Sequence, residues 1–346
     1  MLKKKRLVLG AAILLALWGG MQYGFWLTVF CIVLLVALLG ALKGIRYSLA
    51  HLGVRQLTKN CARRHLPRQI EALKASEKPG APFTFVVLGD NRSAVKIPRL
   101  IHQKVKAEEP EFLFNTGDLV RFGTAREFVS RYLPLLEIMD PIPVFSIPGN
   151  HDRGARSDFA AYRAVHGEER FSFDYGPCRF VGVNNAKRAR LTVDDLEFLD
   201  AELGKSPIAY KFVFIHIPPR FFEDGLVIVE KRRGFKKLQQ EFHALMTRHQ
   251  VTEVFMGHIH GYASREIDGV RYTLTAGAGA PFGRQLPVEA RVCNYVVLYV
   301  DTEGLKREVV RCVNGEWVRN DATRLGRDQR TGDYGFRVQG SGSEEE

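Results

Sequence analysis

The sequence lacks the cysteine pattern of a disulfide-rich or zinc-stabilised protein. Its 346 residues contain five cysteines, an odd number, and no two of them form a C-x-x-C motif. We therefore expect neither a disulfide framework nor a structural zinc site, and the count suits a reducing compartment. The cysteines are interpreted as small buried hydrophobic residues. No internal repeat is apparent either.

Acidic residues are missing from the first 70 residues, which contain eleven lysines and arginines. The formal net charge of the chain is +12, so subtracting +11 leaves about +1 for residues 71–346. The basic character therefore belongs to the N-terminal segment, and a membrane explains it better than nucleic acid does. The nearly neutral remainder has no basic stripe interleaved with aromatic residues, which argues against an extended nucleic-acid partner.

Charge is also missing from two apolar runs near the N-terminus, residues 7–23 and 25–42. The second run is just long enough to span a bilayer, whereas the first must continue to residue 23 to reach that length. Basic residues flank the pair on both sides, which predicts a membrane hairpin within residues 1–45 and a domain on the cytoplasmic face of the inner membrane. A single anchor with the domain outside is the main alternative. Residues 46–82 are predicted to form a basic juxtamembrane linker.

From Phe83 onward, strand-like apolar runs alternate with segments of helical periodicity. The runs predict strands at residues 83–89, 112–116, 143–147 and 210–215, with helices between them. This alternation is typical of parallel strands with helices packed on the sheet faces, so residues 83–318 are predicted to form an α/β domain. The polar tail, residues 319–346, is predicted to be disordered.

Polar side chains follow five of the predicted strands, including a fifth strand at residues 253–256. The residues are Asp90, Asp118, Asn150, His151, Asp152, His216, His258 and His260. Because α/β sheets place their ligand sites at the carboxyl ends of the strands, we expect these side chains to meet. Carboxylates and imidazoles with an amide and no thiolate fit Mn, Fe, Zn or Co ions. Two such ions about 3.5–4 Å apart can clamp a phosphate and provide a hydroxide for in-line attack on phosphorus.

In these motifs the chain resembles the calcineurin-like metallophosphoesterases. The matching pieces are Asp90, Gly117-Asp118, Gly149-Asn150-His151-Asp152, His216 and Gly257-His258-Ile259-His260. The resemblance covers residues 83–280 and implies a four-layer α/β/β/α sandwich with two divalent metal ions, manganese being the first choice.

The resemblance also implies a role for each residue. Asp118 bridges the two ions. One ion is held by Asn150, His216 and His258, and the other by Asp90 and His260. His151 faces the substrate, where it donates to phosphate or protonates the leaving oxygen, and Asp152 orients its ring.

One position departs from the family pattern. The first motif usually reads Asp-x-His and its histidine is a ligand, but here the third position is Arg92. A guanidinium stays protonated and offers no lone pair to a metal, so the Asp90 ion keeps at most three protein ligands and is expected to bind more weakly. Arg92 is predicted to grip a phosphate oxygen instead, with pairing to a nearby acid as the alternative.

The resemblance leaves the substrate open. The predicted function is a membrane-anchored, metal-dependent phosphoester or pyrophosphate hydrolase. Its substrate is expected to be lipid-linked, as in the UDP-diacylglucosamine hydrolases of lipid A synthesis, because an apolar loop with a basic flank (residues 220–233) follows His216. The alternatives are a hydrolase of a soluble phosphomonoester or cyclic nucleotide, and a non-catalytic membrane-tethered scaffold of the same fold.

Overall fold

The computed structural model describes residues 10–18, 25–92, 95–154, 158–187, 190–205, 207–228 and 232–325. The chain divides into two compact units, Met1–Gly53 and Val54–Glu346. The first unit contains helix α1 (residues 10–18) and most of helix α2 (Phe25–Cys61). Many large apolar side chains of α2 are exposed, among them Phe30 (63%) and Val33 (61%).

The predicted membrane-spanning hairpin is not found in the described part of the chain, where no helix is both long enough and apolar enough to cross a membrane. The helix at residues 10–18 would extend about 14 Å, roughly half the thickness of a hydrocarbon core. Residues 7–9 and 19–23 of the first predicted span lie outside the described residues.

The predicted linker at residues 46–82 is largely helical. Helix α2 continues to Cys61, a short 3-10 turn (Ala62–Arg64) follows, and helix α3 covers Leu66–Ser76. Four apolar side chains of this segment are buried: Leu57, Cys61, Leu66 and Leu73. The segment from Leu57 onward is therefore part of the folded core and does not behave as a linker, because its apolar residues recur at helical spacing.

The second unit contains two six-stranded sheets among its described residues. The first sheet has the spatial order β12 (Glu316–Leu325), β11 (Gly304–Val313), β10 (Cys293–Asp301), β1 (Phe83–Leu88), β2 (Phe112–Asn115) and β3 (Val144–Ser146). The second has the order β4 (Phe171–Tyr175), β5 (Cys178–Gly182), β6 (Tyr210–Phe214), β7 (Glu253–Met256), β9 (Val270–Thr275) and β8 (Tyr262–Ile267). Strands β1–β3 and strands β5, β6, β7 and β9 are parallel.

Helices and turns connect the strands. They are α4 (Lys96–Ala107), α5 (Ala125–Glu127), a π-helical turn (Phe128–Tyr132), α6 (Leu133–Met139), α7 (Ala160–His166), α8 (Val193–Leu203), α9 (Arg220–Glu223), α10 (Gln239–Arg248) and a 3-10 turn (Val288–Ala290). The alternation of strands and helices from Phe83 onward is as predicted.

The two sheets pack face to face through aromatic side chains. The ring centroids of Phe114 on β2 and Phe214 on β6 are 4.1 Å apart, and those of Phe85 on β1 and Phe180 on β5 are 5.1 Å apart. Because successive side chains of a strand point to opposite faces, Val86 points outward when Phe85 points inward, and it packs in the cluster that contains Ile101 of α4. The mixed α/β fold with two sheets agrees with the prediction.

Strand β12 extends beyond the boundary expected at residue 318. It runs from Glu316 to Leu325 and pairs with β11, so the first seven residues of the predicted disordered tail, 319–325, belong to the sheet. Residues 326–346 lie outside the described residues. The parallel strands of both sheets end at edges from which the polar loops described next emerge.

Candidate metal centre

Three buried side chains from the two sheets meet at these strand ends. Asp90 follows β1, Asp118 follows β2 and His216 follows β6, and their ligand atoms all lie within 4.8 Å of one another. Asp90 and Asp118 have left-handed backbone conformations, with φ of 64° and 54°. Such conformations are unfavourable for a residue with a side chain, and they cluster at functional sites where the surrounding structure holds them in place.

Two glycines allow the loops to approach each other closely. A Cβ atom at Gly257 would lie 2.5 Å from Asp90 Oδ2 and 2.9 Å from His216 Nδ1, and one at Gly149 would collide with the backbone and carboxylate of Asp118. Any side chain at these positions would displace the groups around it. Glycine is therefore required at both positions by the close packing of the site.

The first half of the site, which we name the Asn150 half-site, contains Asn150, His216 and His258. Asn150 Oδ1 lies 2.7 Å from His258 Nδ1 and 3.2 Å from His216 Nε2. His216 Nδ1 donates to the carbonyl oxygen of Thr116 at 2.8 Å. That hydrogen bond places the proton on Nδ1 and leaves the Nε2 lone pair facing the site, which is the arrangement that a metal-binding histidine needs.

The second half, which we name the Asp90 half-site, contains Asp90 and His260. His260 Nδ1 donates to the carbonyl oxygen of Pro281 at 2.6 Å, so its Nε2 lone pair faces Asp90 Oδ1 at 3.5 Å. Both carboxylate oxygens of Asp90 lie 3.1 Å from the backbone N–H of His258. The side chains of His258 and His260 thus face different partners, Asn150 and Asp90, and their assignment to different ions stays a prediction.

Burial keeps the imidazoles of the site neutral. It lowers the pKa of His258 to about 3 and that of His260 to about 4, and it also lowers the pKa of His216. A neutral imidazole has a lone pair for a metal ion. Burial, together with the charge of Asp118, raises the pKa of Asp90 well above its usual value. The carboxyl group of Asp90 therefore keeps its proton to a higher pH than an exposed carboxyl group does.

The carboxylate of Asp118 supports a cation at the centre of the site. Its Oδ1 accepts from the backbone N–H of His151 at 2.9 Å and lies 3.3 Å from His216 Nε2. Its Oδ2 is buried and has no hydrogen-bond partner among the described residues. A buried carboxylate oxygen without a donor is costly unless a cation neutralises it. The residues present thus fit a divalent ion that touches Asp118.

Arg92 lies inside the site, beside the carboxylate of Asp118. Its backbone N–H donates to Asp118 O at 2.8 Å, and its guanidinium Nε lies 3.8 Å from Asp118 Oδ2. Another nitrogen of the guanidinium, Nη2, contacts His151 Nε2. The side chain therefore faces the centre from which the family's histidine is missing, where it supplies positive charge in place of a lone pair.

Asp152 does not orient the ring of His151. Its carboxylate accepts from the backbone N–H groups of Val120 at 3.0 Å and Gly149 at 2.8 Å, and it is completely buried. The ring of His151 is held by the carbonyl oxygen of Arg121, which accepts from Nδ1 at 2.9 Å. The predicted role of Asp152 is thus replaced by a role in fixing the loop that carries Asn150 and His151.

One further residue of the site was not predicted. Asn185 is buried after β5, and its Oδ1 accepts from the backbone N–H groups of His216 and Ile217 at 3.1 and 2.9 Å. Its Nδ2 donates to Ile217 O at 2.6 Å, so the amide fixes the loop that presents His216. The sequence contained a signal for Asn185, because Asn184-Asn185 follow a strand at the same edge as the other site residues.

The apolar loop after His216 is mostly packed. Phe222 and Val227 are buried, whereas Ile228 is 63% exposed. Residues 229–231 lie outside the described residues. The loop as a whole is therefore a weaker sign of lipid contact than the sequence indicated.

A family model for calcineurin-like phosphoesterases matches residues 83–262. No curated protein matches the sequence. Among solved structures, the purple acid phosphatase PPD1 from yellow lupin (Lupinus luteus) seeds is similar with a TM-score of 0.57 and 16% identity. The similarity covers 70% of this chain and 54% of that chain, so this chain spans about half of the lupin protein.

Two further solved structures share the fold. GAP50, the anchor in the inner membrane complex of Plasmodium, gives a TM-score of 0.54 at 14% identity, with 70% of this chain and 89% of that chain covered. PhoD gives a TM-score of 0.54 at 11% identity, with 70% and 69% covered. These similarities concern the fold alone.

Proposed function

Because the chain belongs to the calcineurin-like phosphoesterases, we propose that it is a metal-dependent hydrolase of a phosphoester or pyrophosphate bond. One observation carries the proposal. Asp90, Asp118 and His216 meet in a buried cluster, and Asp118 Oδ2 is left there without a hydrogen-bond partner from the described residues. A structural cluster of that kind would be expected to satisfy its own carboxylate.

Two divalent ions would complete this site. Asp118 would touch both of them, the Asn150 half-site would hold one and the Asp90 half-site the other. When bound, the ions would polarise the phosphate and activate a water molecule for attack on phosphorus. Manganese is the first choice because the ligands are carboxylate, amide and imidazole groups without a thiolate.

The chain's own residues position the phosphate and the proton. Arg92 presents its guanidinium at the centre and would bind a phosphate oxygen through two parallel N–H groups. His151 donates from Nδ1 to Arg121 O, and its Nε2 contacts the guanidinium of Arg92. A bound phosphate would draw that guanidinium away, and Nε2 would then take up a proton from solvent and pass it to the leaving oxygen as the bond to phosphorus breaks.

We further propose that the substrate is lipid-linked and that the chain acts at a membrane, with the catalytic domain on the cytoplasmic side. The support is the exposed apolar surface of α2 between Leu27 and Leu42 and the eleven basic residues among the first 70. Both features are consistent with a lipid-linked pyrophosphate, such as UDP-diacylglucosamine, as the substrate. A soluble phosphomonoester or cyclic nucleotide is the competing substrate class.

A substrate panel tests the proposal. The full chain with added Mn²⁺ is assayed on bis-p-nitrophenyl phosphate, a soluble monoester, a cyclic nucleotide and a lipid pyrophosphate. We expect turnover of at least one substrate, and a fall of about 10³-fold in Asp118→Asn and about 10²-fold in His151→Ala. Asp194→Asn, an exposed carboxylate on α8, is the matched control and should keep full activity. If the wild type hydrolyses nothing, the site is a non-catalytic scaffold.

A further inference from the structure

One face of helix α4 beside the metal centre combines exposed apolar and basic side chains. We name it the α4 face and define it by Val95, Lys96, Ile97, Arg99, Leu100 and the neighbouring Phe282. Its apolar members keep large parts of their surface exposed: 44% for Val95, 40% for Ile97, 41% for Leu100 and 40% for Phe282. The opposite side of the helix, with Ile101 and Val105, is fully buried in the core.

The charge on α4 has one sign. The helix carries four basic residues, Lys96, Arg99, Lys104 and Lys106, and its sequence contains no Asp or Glu. Lys104 lies over the ring of Trp317 and Lys106 donates to Asp140 O, so these two are engaged elsewhere. Lys96 and Arg99 have no side-chain partner in the described part of the chain. They therefore present uncompensated positive charge on the face that also presents Ile97 and Leu100.

The α4 face adjoins the Asp90 half-site. Pro98, in the first turn of α4, packs against Gly279, where an added Cβ atom would lie 2.5 Å from its Cγ. The next residue, Ala280, donates its backbone N–H to Asp90 O at 2.8 Å. Pro281 then accepts from His260, and Phe282 follows on the surface. One short loop thus joins the exposed apolar ring of Phe282, the start of α4 and two metal-binding side chains.

We propose that the α4 face docks on the surface of an anionic lipid bilayer. Helices that lie in a membrane interface have apolar side chains flanked by lysine and arginine, and anionic headgroups attract such basic groups. The face has both features, and no acidic residue of α4 opposes the attraction. Docking here would bring the loop that contacts the backbone of Asp90 and the ring of His260 to the headgroups, where a lipid-linked phosphate would reach the centre without leaving the bilayer.

The surface suits a bilayer better than a protein partner. Its exposed apolar side chains belong to a single helix and one loop tip, and its two free basic groups lie among them. Anionic headgroups satisfy both basic groups without requiring shape complementarity, whereas a specific protein partner would need a continuous contact of about 800 Å² on each side. A copurifying protein is nevertheless a distinct outcome that the test below separates from lipid.

Site-specific photocross-linking in the full chain tests the proposal. Benzoylphenylalanine is placed at position 100 and, as a control, at position 193, where Val193 of α8 is also exposed. The protein is irradiated with phosphatidylglycerol-containing vesicles or with pure phosphatidylcholine vesicles, and lipid adducts are measured by mass spectrometry. Because the readout is local, it does not depend on how the N-terminal segment interacts with the vesicles.

We expect lipid adducts at position 100 with anionic vesicles, and about tenfold fewer at position 193 or with neutral vesicles. The double variant Lys96→Glu/Arg99→Glu should lower the yield at position 100 by about tenfold or more. The matched variant Arg68→Glu/Lys74→Glu, which reverses two exposed charges on α3, should leave it unchanged. Equal yields at both positions, a yield indifferent to Lys96 and Arg99, or adducts to a protein alone would overturn the proposal.

The test also separates this surface from the proposed hydrolysis, on which its biological use rests. Lys96→Glu/Arg99→Glu should keep the activity on bis-p-nitrophenyl phosphate, because neither residue contacts the metal centre. Loss of cross-linking with retained hydrolysis of that soluble diester supports the docking surface. An inactive wild type that still forms lipid adducts would remove the enzymatic proposal and leave the surface standing.

Discussion

The two halves of the metal centre are built differently. The Asn150 half-site offers an amide and two neutral imidazoles, and these three side chains converge within hydrogen-bond distance around Asn150 Oδ1. The Asp90 half-site offers one carboxylate and one imidazole, with Arg92 in the place of a third ligand. We propose that Asp118 serves both halves, so that the loop after β1, with Arg92 in its third position, is the main source of their difference.

The difference has an electrostatic consequence. Arg92 Nε lies 3.8 Å from Asp118 Oδ2, the oxygen that a bridged ion would use. A guanidinium there repels a nearby cation and attracts a phosphate, since it adds a positive charge and removes a lone pair. We therefore propose that the Asp90 half-site has a lower metal affinity and that Arg92 binds the substrate. We expect this half-site to fill last and to empty first.

The largest effect should separate the two histidines of the Gly257–Gly261 loop. His260→Ala removes the only imidazole of the Asp90 half-site, and we expect its ion to bind about 100-fold more weakly. His258→Ala leaves Asn150, His216 and Asp118, and we expect a loss of about tenfold. Metal content after dialysis against Mn²⁺ measures both, with His243→Ala outside the site as the control. Equal losses of bound metal in His260→Ala and His258→Ala would refute the prediction that the Asp90 half-site depends more strongly on its histidine.

A smaller change should make the two halves more alike. Arg92→His replaces the guanidinium by an imidazole, and we expect the second ion to bind about tenfold more tightly while inhibition by inorganic phosphate weakens. Arg92→Gln removes the charge without adding a strong ligand and is the matched control. If Arg92→His and Arg92→Gln bind the second ion equally tightly, the weak binding in the wild type is caused by the charge of Arg92 and not by the missing ligand.

The pH dependence of metal binding should also differ between the halves. Because burial raises the pKa of Asp90, its carboxyl retains a proton in the metal-free protein to higher pH than usual, and an ion must displace that proton. Affinity at the Asp90 half-site should therefore rise with pH, by at most about tenfold per pH unit, and level off above the pKa. His258 has a pKa of about 3, so the Asn150 half-site should change little between roughly pH 5 and 8.

Calorimetric titrations of Mn²⁺ into the metal-free chain at several pH values provide this measurement. Repeating them in buffers of different ionisation enthalpy counts the protons released. Proton release that accompanies the first, tighter ion and not the second would contradict the assignment of Asp90 to the weaker half-site.

The meeting of Asp90, Asp118 and His216 could be predicted from the sequence, because each follows a short apolar strand within two or three residues. Parallel strands end at a common edge within each sheet, and the packing of the two sheets then brings residues such as Asp90 after β1 and His258 after β7 into contact. The residues that follow these strands in the sequence also indicated that carboxylate, amide and imidazole side chains would gather at this edge. The groups that orient these side chains are backbone carbonyls, such as Thr116 O and Pro281 O, and a sequence does not reveal which carbonyl a ring will meet.

Strand β11 was not predicted, and it has a charged residue that faces the core. Arg307 in β11 is buried, and its Nε lies 3.0 Å from Glu253 Oε1 on β7. The charges of this buried pair satisfy each other across the sheets, which hides the period-two pattern that identifies a strand. The burial of the segment from Leu57 to Leu73 was missed for a different reason, since its basic residues suggested contact with lipid headgroups or solvent although its apolar positions pack in the core.

The most direct test of the unequal metal centre is a titration of the metal-free wild-type chain with Mn²⁺, followed by calorimetry and by the electron paramagnetic resonance of bound Mn²⁺. We predict two ions per chain in two distinct steps, with the second at least about tenfold weaker than the first and a spin-coupled signal appearing only in the second step. Two ions bound in one step with equal affinity, or a single ion at saturation, would contradict it.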